Sequence, residues 1–373
     1  MASGIETDSV QLDKAIPFKL EELKIGLKNL SYLLSENQIF RFESYAFDFS
    51  GGRMDLEKIS LELNQEWYEQ AKNQPEQKEI MEFDIGSVAI RGLSEASQFG
   101  DSLMIIAESI TLDSVDFKIG KDKNRPFPPK ELKQDFSYLL EALTFPMKVD
   151  SVKVTNSAVT YSEIGSGQTL PGKINLSEVN GLVLNVSTIE EVERENSLYV
   201  TLSAVFDGSG KLSLEVHENY FEREWEADLT LEDMDMKDLN QTVNNLAGIF
   251  IASGKLNKLH LNMEANASFS DNHFLMEYED FKIELLNPEH HKKGFLSSLA
   301  NLAVHKQHKP GDKHFQELAY ATPRDPYKGP INLIWLSAKD GLLATVPIKA
   351  ARKLMVHSKN DKRGRKNGKK ENN

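Results

Sequence analysis

The sequence contains no cysteine, which excludes a disulfide scaffold, a thiolate zinc site, an iron–sulfur cluster and a cysteine nucleophile. A chain without thiols fits either a reducing compartment or a bacterial periplasm. Long apolar runs are also missing, since stretches such as residues 103–107 fall far short of the ~20 residues that cross a bilayer. Residues 1–15 are polar and lack the apolar core of a signal peptide. We therefore expect either a cytosolic protein or one whose anchor or signal has been removed.

Positive charge is scarce outside the C-terminal end. The 373 residues include 44 basic and 57 acidic side chains, and the net charge of −13 argues against nucleic acid as a partner. Residues 358–373 carry seven basic and two acidic side chains, so this tail is +5 and the remainder −18. Because the tail lacks apolar side chains, we expect it to be disordered. It is either a solvated tail or a contact for anionic lipid head groups or an acidic partner.

The abundant feature is an alternation of apolar and polar residues with a period of two. Leu198, Val200 and Leu202 alternate with polar residues, residues 207–210 supply the glycines of a hairpin turn, and the alternation then resumes through residue 231. The same pattern recurs on both sides, for example at residues 81–85, 115–119 and 274–285. It predicts a mainly β protein, built as an antiparallel meander with one apolar and one polar face and few helices.

Helical spacing marks only four segments. These are residues 128–143, which open with two prolines, 236–247 after an acidic start, 295–304, and 342–356, where Pro347 kinks the helix or delays its start. Residues 306–330 hold four prolines and predict a loop. We expect one sheet in two sections, divided as an N-terminal β section (1–120), a proline-containing linker and helix (121–147), a β meander (148–290), a helical and loop cap (291–357) and the disordered basic tail (358–373).

Histidines and acidic residues offer two candidate metal sites. His305 and His308 stand one helical turn apart, and His290 or His291 could add a ligand, but lysines surround them and favour a solvated basic patch. The acidic residues at 232–238 lack the central glycine and the terminal glutamate of an EF-hand loop, so they predict a helix start. We expect no metal.

A catalytic signature is equally hard to find. Gly165-Ser166-Gly167 and Gly208-Ser209-Gly210 lie between strand-like runs and predict turns, because no Gly-Lys-Ser/Thr follows either. A Gly-x-Ser-x-Gly elbow is absent, and nothing marks two carboxylates as an acid/base pair. The sequence therefore predicts a protein that is not an enzyme and has no cofactor, with an unrecognised hydrolase as a distant alternative.

Several phrases from about residue 145 onward carry a family resemblance. They are VKVTNSAVTYSE at 152–163, GKINLSEVNGL at 172–182, FDGSGKL at 206–212 followed by Asp238-Leu239-Asn240, and IASGKL at 251–256. With these phrases the sequence resembles the AsmA-like proteins of Gram-negative envelopes, relatives of TamB and of the bridge-like lipid-transfer proteins. Such proteins usually begin with a membrane anchor, and residues 1–15 do not match one.

The resemblance implies a long, strongly curved, groove-like or taco-like antiparallel sheet with an apolar concave face. In function it implies a non-enzymatic envelope protein that shelters or conducts lipid acyl chains and supports outer-membrane lipid homeostasis. Its location would be the periplasm or the inner membrane, and its partners a phospholipid or other acyl-chain lipid and an envelope protein. The physics fits, because exposing a ~16-carbon chain to water costs on the order of 12 kcal/mol at ~0.8 kcal/mol per methylene.

The alternating residues of the second section are the candidates for the lining of this groove. They are Val152, Val154, Val159, Tyr161, Leu182, Leu184, Leu198, Val200, Leu202, Leu212, Leu214, Leu229 and Leu231. The helices predicted at 295–304 and 342–356 would cap an end or lie against a partner. The alternative is a scaffold whose alternating strands fill a closed core that binds no lipid.

Overall fold

The computed structural model describes residues 2–3, 22–48, 50–94, 97, 103–133, 135–141, 145–189, 197–247, 249–285 and 305–346. Within these residues, fourteen strands form one sheet and follow one another in sequence order. The prediction of a mainly β, mostly antiparallel meander with few short helices is confirmed, and the sheet is not closed into a barrel. The described residues include the whole of the predicted meander except residues 190–196, 248 and 286–290.

The strands are long, and most of them have ten residues or more. They are β1 (Ala2–Ser3), β2 (Glu22–Ser35), β3 (Gln38–Asp48), β4 (Arg53–Leu63), β5 (Glu79–Arg91), β6 (Ile105–Asp122), β7 (Met147–Ile164), β8 (Pro171–Ser187), β9 (Ser197–Phe206), β10 (Gly210–Asn219), β11 (Trp225–Asp235), β12 (Ile249–Ala265), β13 (Phe269–Leu285) and β14 (Leu318–Pro323). The helices are α1 (Trp67–Lys72), α2 (Phe136–Glu141), α3 (Asn240–Ala247), which follows a 3₁₀ turn at Met236–Leu239, and α4 (Pro330–Thr345).

One pair of neighbouring strands departs from the antiparallel meander. Strands β6 and β7 run parallel, with Ile110 opposite Val152 and Phe117 opposite Val159. A parallel pair needs a crossover that returns to the starting end of the sheet, and residues 123–146 make it. The helix predicted at 128–143 is therefore wrong in its start. Residues 128–133 have no regular secondary structure, and α2 begins only at Phe136.

The strict alternation of the strands is interrupted at one position in most of them. Seven non-glycine residues there have a left-handed φ between 50° and 57°: Asn29, Lys58, Ser114, Asn156, Glu178, Asp233 and Asp280. At six of the seven, all except Asn156, two consecutive polar residues separate two apolar residues on the same face, as in Leu112-Asp113-Ser114-Val115. Aligned interruptions of this kind bend and twist a sheet. We call this row of positions the bend line.

Helix α3 shows that the sheet curls around its apolar face. Its Leu246 lies over Gly172 of β8, and Asn245 donates a hydrogen bond of 2.8 Å to the Pro171 carbonyl. At its other end, Asn240 exchanges two hydrogen bonds, of 2.9 and 2.7 Å, with the Ile251 backbone of β12. Strands β8 and β12 are four positions apart in the sheet, so the sheet must fold inward for one short helix to reach both.

The C-terminal end of the curled sheet is covered. Helix α4 packs on β13 and β14, with Leu333 and Ile334 buried in a core that includes Leu261 and Phe274. The prediction of a helix at 342–356 is wrong in its start, because the helix begins at Pro330, where a proline fixes a helical φ and needs no N–H partner. Residues 306–330 are not all loop, since they contain β14. The helix predicted at 295–304 and residues 347–356 lie outside the described residues.

Candidate functional site

One side of the sheet carries an uninterrupted apolar surface, which we call the apolar face. Residues paired across neighbouring strands point to the same side, so the register identifies its members strand by strand. On one side of the bend line the row runs Leu30, Phe42, Ile59, Ile85 and Val115 across β2 to β6. Beyond β7 the face continues along Val200, Val216 and Ala227 of β9 to β11. Every long strand therefore contributes apolar side chains to the same side of the sheet.

Most of the predicted lining residues lie on this face. Eleven of the thirteen do so: Val152, Val154, Val159, Tyr161, Leu198, Val200, Leu202, Leu212, Leu214, Leu229 and Leu231. Leu182 and Leu184 do not, because they pair with Thr201 and Tyr199, which are exposed on the polar side. For these two residues the prediction of a shared face is wrong, since alternation alone does not reveal which apolar residue of Leu182-Val183-Leu184 points inward.

Exposure changes steeply along the apolar face. At the covered end Leu261 and Met263 are 0% and 1% exposed. At the other end, in β2, Leu27, Leu30 and Tyr32 are 46%, 40% and 62% exposed. Among the predicted lining residues on the face, Leu198 and Leu231 are buried and the other nine are half-buried. The open part of the apolar face therefore lies at the N-terminal edge of the sheet, chiefly in β2, on which sequence reasoning placed no lining residue.

Strand β3 adds a row of aromatic rings to the open part. Phe40, Phe42, Tyr45 and Phe47 follow each other with ring centroids 6.4 to 6.5 Å apart. The step from Phe42 to Tyr45 crosses the bend line, so the interruption keeps all four rings on one side. Their spacing of two, three and two residues is visible in the sequence, but it departs from the strict alternation used to choose the lining residues.

The opposite face is polar, and its concavities lie along the bend line. One depression of about 550 Å³ is lined by Ser114, Asn156, Glu178 and Asn180, among other residues. Beside it, hydrogen bonds from Thr155, Asn156 and Ser114 lower the pKa of Asp113, whose carboxylate therefore holds adjacent strands together at the bend. Within the described residues no group of three histidine or acidic side chains could hold a metal ion.

One histidine of the predicted solvated patch is buried in the structure. His308 is 1% exposed; its Nδ1 lies 2.6 Å from the Met276 carbonyl and its Nε2 accepts the Gln316 N–H at 3.3 Å. With both ring nitrogens engaged, His308 ties residues 305–317 onto β13 rather than binding a metal. For His308 the prediction of a solvated side chain is wrong. His305 stacks on His314 at 4.1 Å, while His290 and His291 lie outside the described residues.

A buried acidic residue fastens the crossover to the sheet. The Glu218 carboxylate of β10 accepts the backbone N–H groups of Phe136 and Ser137 at 2.7 and 3.1 Å, and burial raises its pKa. Phe136 packs edge-on against Trp225 at 5.2 Å and touches both apolar clusters of the interior. The Glu218 carboxylate thus holds α2 at one end of the apolar face.

Comparison with known proteins adds no relative. No protein-family model matches the chain, and no curated protein sequence matches it. Among the described residues, no helix is both long and apolar enough to cross a bilayer.

Proposed function

We propose that this chain is a non-enzymatic envelope protein whose apolar face shelters or conducts lipid acyl chains and so supports outer-membrane lipid homeostasis. The AsmA-like resemblance from about residue 145 onward motivates the proposal and implies a location in the periplasm or inner membrane of a Gram-negative bacterium. A phospholipid or other acyl-chain lipid is the ligand, an envelope protein is a possible partner, and the basic tail at 358–373 is a possible contact with the membrane.

The observation that carries the proposal is the exposure of the apolar face in β2 and at Met81 of β5. Leu27, Leu30 and Met81 are between 40% and 46% exposed on the side of the sheet that is otherwise core. Large contiguous apolar surfaces of this kind mark interaction sites in soluble proteins. Acyl chains suit such a surface because it is long and continuous across strands.

A closed scaffold is the second candidate, and the C-terminal end supports it. Strands β10 to β14 and α4 enclose a packed core in which Phe274, Met276 and Ile283 are at most 2% exposed. If this core is the whole purpose of the alternation, the exposed part of the face serves only to recruit a protein partner. The two candidates differ in whether the protein takes up lipid.

The first experiment places a charge on the open part of the apolar face. Leu27→Asp should abolish uptake of a fluorescent long-chain acyl lipid from vesicles, because a carboxylate among the apolar side chains must be desolvated when a chain covers it. The matched control is Leu33→Asp, on the same strand, 60% exposed and facing the other side. Both variants should keep the wild-type melting temperature, since exposed substitutions usually change stability by about 0.5 kcal/mol or less.

The outcomes separate the two candidates. Uptake by the wild type and by Leu33→Asp, lost only in Leu27→Asp, supports an open acyl-chain surface. Wild-type protein that stays free of lipid after gentle purification and takes up no probe contradicts the lipid proposal and favours the scaffold. Uptake that survives in Leu27→Asp would move the binding surface away from β2.

A further inference from the structure

Several lysines converge where the apolar face ends at β6. Lys121 closes the row on this strand, two residues beyond Ile119, which pairs with the exposed Met81. The segment between β14 and α4 crosses this end, held to the crossover by the Lys133 N–H, which donates to the Pro326 carbonyl at 2.8 Å. In this arrangement Lys328 lies near enough to Lys121 and Lys123 for their positive charges to act on its own.

Lys328 stands in an environment that disfavours its charge. Burial lowers its pKa, repulsion from Lys121, Lys123 and Lys133 lowers it further, and Asp325 is the opposing carboxylate. Lys121 and Lys123 have partners of their own, Glu79 at 3.2 Å and Glu163 at 2.7 Å. Within the described part of the chain, neither Lys328 nor Lys133 forms an ion pair. The ammonium groups of Lys328 and Lys133 are therefore available to bind an anion. They belong to a half-buried cluster in which the positive charges repel one another.

Exposed rings lie beside the ammonium groups of Lys328 and of the neighbouring Lys130. The Lys328 Nζ lies 5.7 Å from the centre of the Phe127 ring, and the Lys130 Nζ lies 4.7 Å from the centre of the Tyr327 ring. Phe127 and Tyr327 are 56% and 36% exposed. A cationic cluster bordered by exposed rings and continuous with an apolar surface matches the two parts of an anionic amphiphile, its head and its chain.

We propose that the Lys328 cluster binds the anionic head group of a single lipid molecule whose acyl chain lies on the apolar face. The inference rests on the proposed function and deepens it, because it assigns the ligand class as anionic rather than zwitterionic lipid. An anion would replace mutual repulsion among the lysines by charge-assisted hydrogen bonds from Lys328 and Lys133. The Phe127 and Tyr327 rings would cover the junction between head group and chain.

The test compares two lipids that differ only in the head group. Donor vesicles of phosphatidylcholine carry a trace of phosphatidylglycerol or phosphatidylcholine, each labelled on the same acyl chain, so the membrane surface is neutral in both arms. We expect the full-length protein to take up phosphatidylglycerol in preference. Lys328→Gln should reduce that preference roughly tenfold, the order that a charge-assisted hydrogen bond contributes, and leave phosphatidylcholine uptake unchanged.

The control is Lys153→Gln, an exposed lysine that pairs with Leu182 on the polar side of β7 and should leave the preference intact. Circular dichroism melting verifies that both variants are folded. Equal uptake of the two lipids by the wild type overturns the head-group inference and leaves the proposed function standing. Uptake of neither lipid overturns both. A preference that survives in Lys328→Gln, or vesicle binding without transfer of label, overturns a head-group site at Lys328.

Discussion

At the scale of the residue, the bend line depends on side chains that hold an unfavourable backbone conformation. A left-handed φ costs an ordinary L-residue on the order of 1–2 kcal/mol, less for Asn and Asp. Asn29, Asn156 and Asp233 suit the position, whereas Lys58 and Glu178, with φ of 50° and 52°, do not. The strain persists because each interruption keeps apolar residues on the inner side of both halves of its strand.

Glycine substitution at the bend line tests this account. Glu178→Gly should raise the free energy of unfolding by about 0.5–1 kcal/mol, because glycine adopts the left-handed conformation without a steric cost. Ser177→Gly, its exposed neighbour, which is not left-handed, should lower it by a similar amount. Urea denaturation followed by circular dichroism measures both. A loss of stability in both variants would mean that the backbone at Glu178 is not strained.

Part of the bend line is visible in the sequence. Leu112-Asp113-Ser114-Val115 and Val149-Asp150-Ser151-Val152 resemble each other as a weak sequence repeat, in which an Asp-Ser step separates two strand-like runs. The first of them is an interruption of the bend line. The left-handed residues cannot be predicted where they are Lys58 or Glu178, since these residue types do not favour that conformation. Their placement follows from the neighbouring strands, and only the register reveals it.

At the scale of the element, α4 decides which end of the apolar face is covered. Its Gly341 lies directly against the Phe274 ring of β13 and the Tyr320 hydroxyl of β14, so that an added methyl group would overlap both. Buried Ser337 and Ser270 join their hydroxyls at 2.9 Å, and the Tyr320 hydroxyl donates to the Ser337 carbonyl at 2.6 Å. Close approach and hydrogen bonds together fix the helix on the sheet.

Overpacking this contact should loosen the cover. Gly341→Ala should lower the free energy of unfolding by about 1–3 kcal/mol, because the helix or the Phe274 ring must shift. Gly329→Ala, at the N-cap of the same helix with open space around it, should cost less, because an added methyl group meets no neighbour and only the weaker N-cap preference of alanine is felt. Thermal unfolding of the two variants makes the comparison. Equal melting temperatures would show that α4 docks more loosely than this packing implies.

Helix boundaries were harder to predict than strands for a physical reason. The 3₁₀ turn and α3 together span residues 236–247, as the acidic start and apolar spacing predicted. The start of α4 was not predicted, because Pro330 is the last residue of a proline-rich segment whose composition is typical of a loop. Strand β14 was missed because it has six residues and gains its stability from pairing with β13, not from its own sequence.

At the scale of the whole molecule, contacts between distant parts of the chain divide the sheet into a closed and an open section. The Arg324 guanidinium donates to the Lys133 carbonyl at 3.1 Å across 191 residues and so links the crossover to the end of β14. Of the thirteen candidate lining residues chosen from the apolar–polar alternation, eleven lie on one face of the sheet. The alternation could not predict which strands would be covered, since the cover depends on this long-range closure.

The division predicts uneven hydrogen exchange. Amides of β12 and β13, whose apolar side chains are buried on one side, should exchange only on global unfolding. Those of β2 and β3 should exchange at least about tenfold faster through local opening. Exchange read by mass spectrometry on peptides from both regions tests this. Acyl lipid should slow exchange in β2 and β3 alone, and uniform protection without lipid would contradict a loosely held open section.

The bend line also bears on how a protein of this design could grow. Because seven of the fourteen strands carry their own left-handed interruption, the curvature does not depend on a device at one end of the sheet. A duplicated hairpin inserted among β2 to β6 would bring its own curvature and lengthen the surface by roughly 10 Å, two strand spacings, while α4 stayed in place. The length of such a molecule can thus change in evolution through the addition of strands, while α4 and its contacts stay the same.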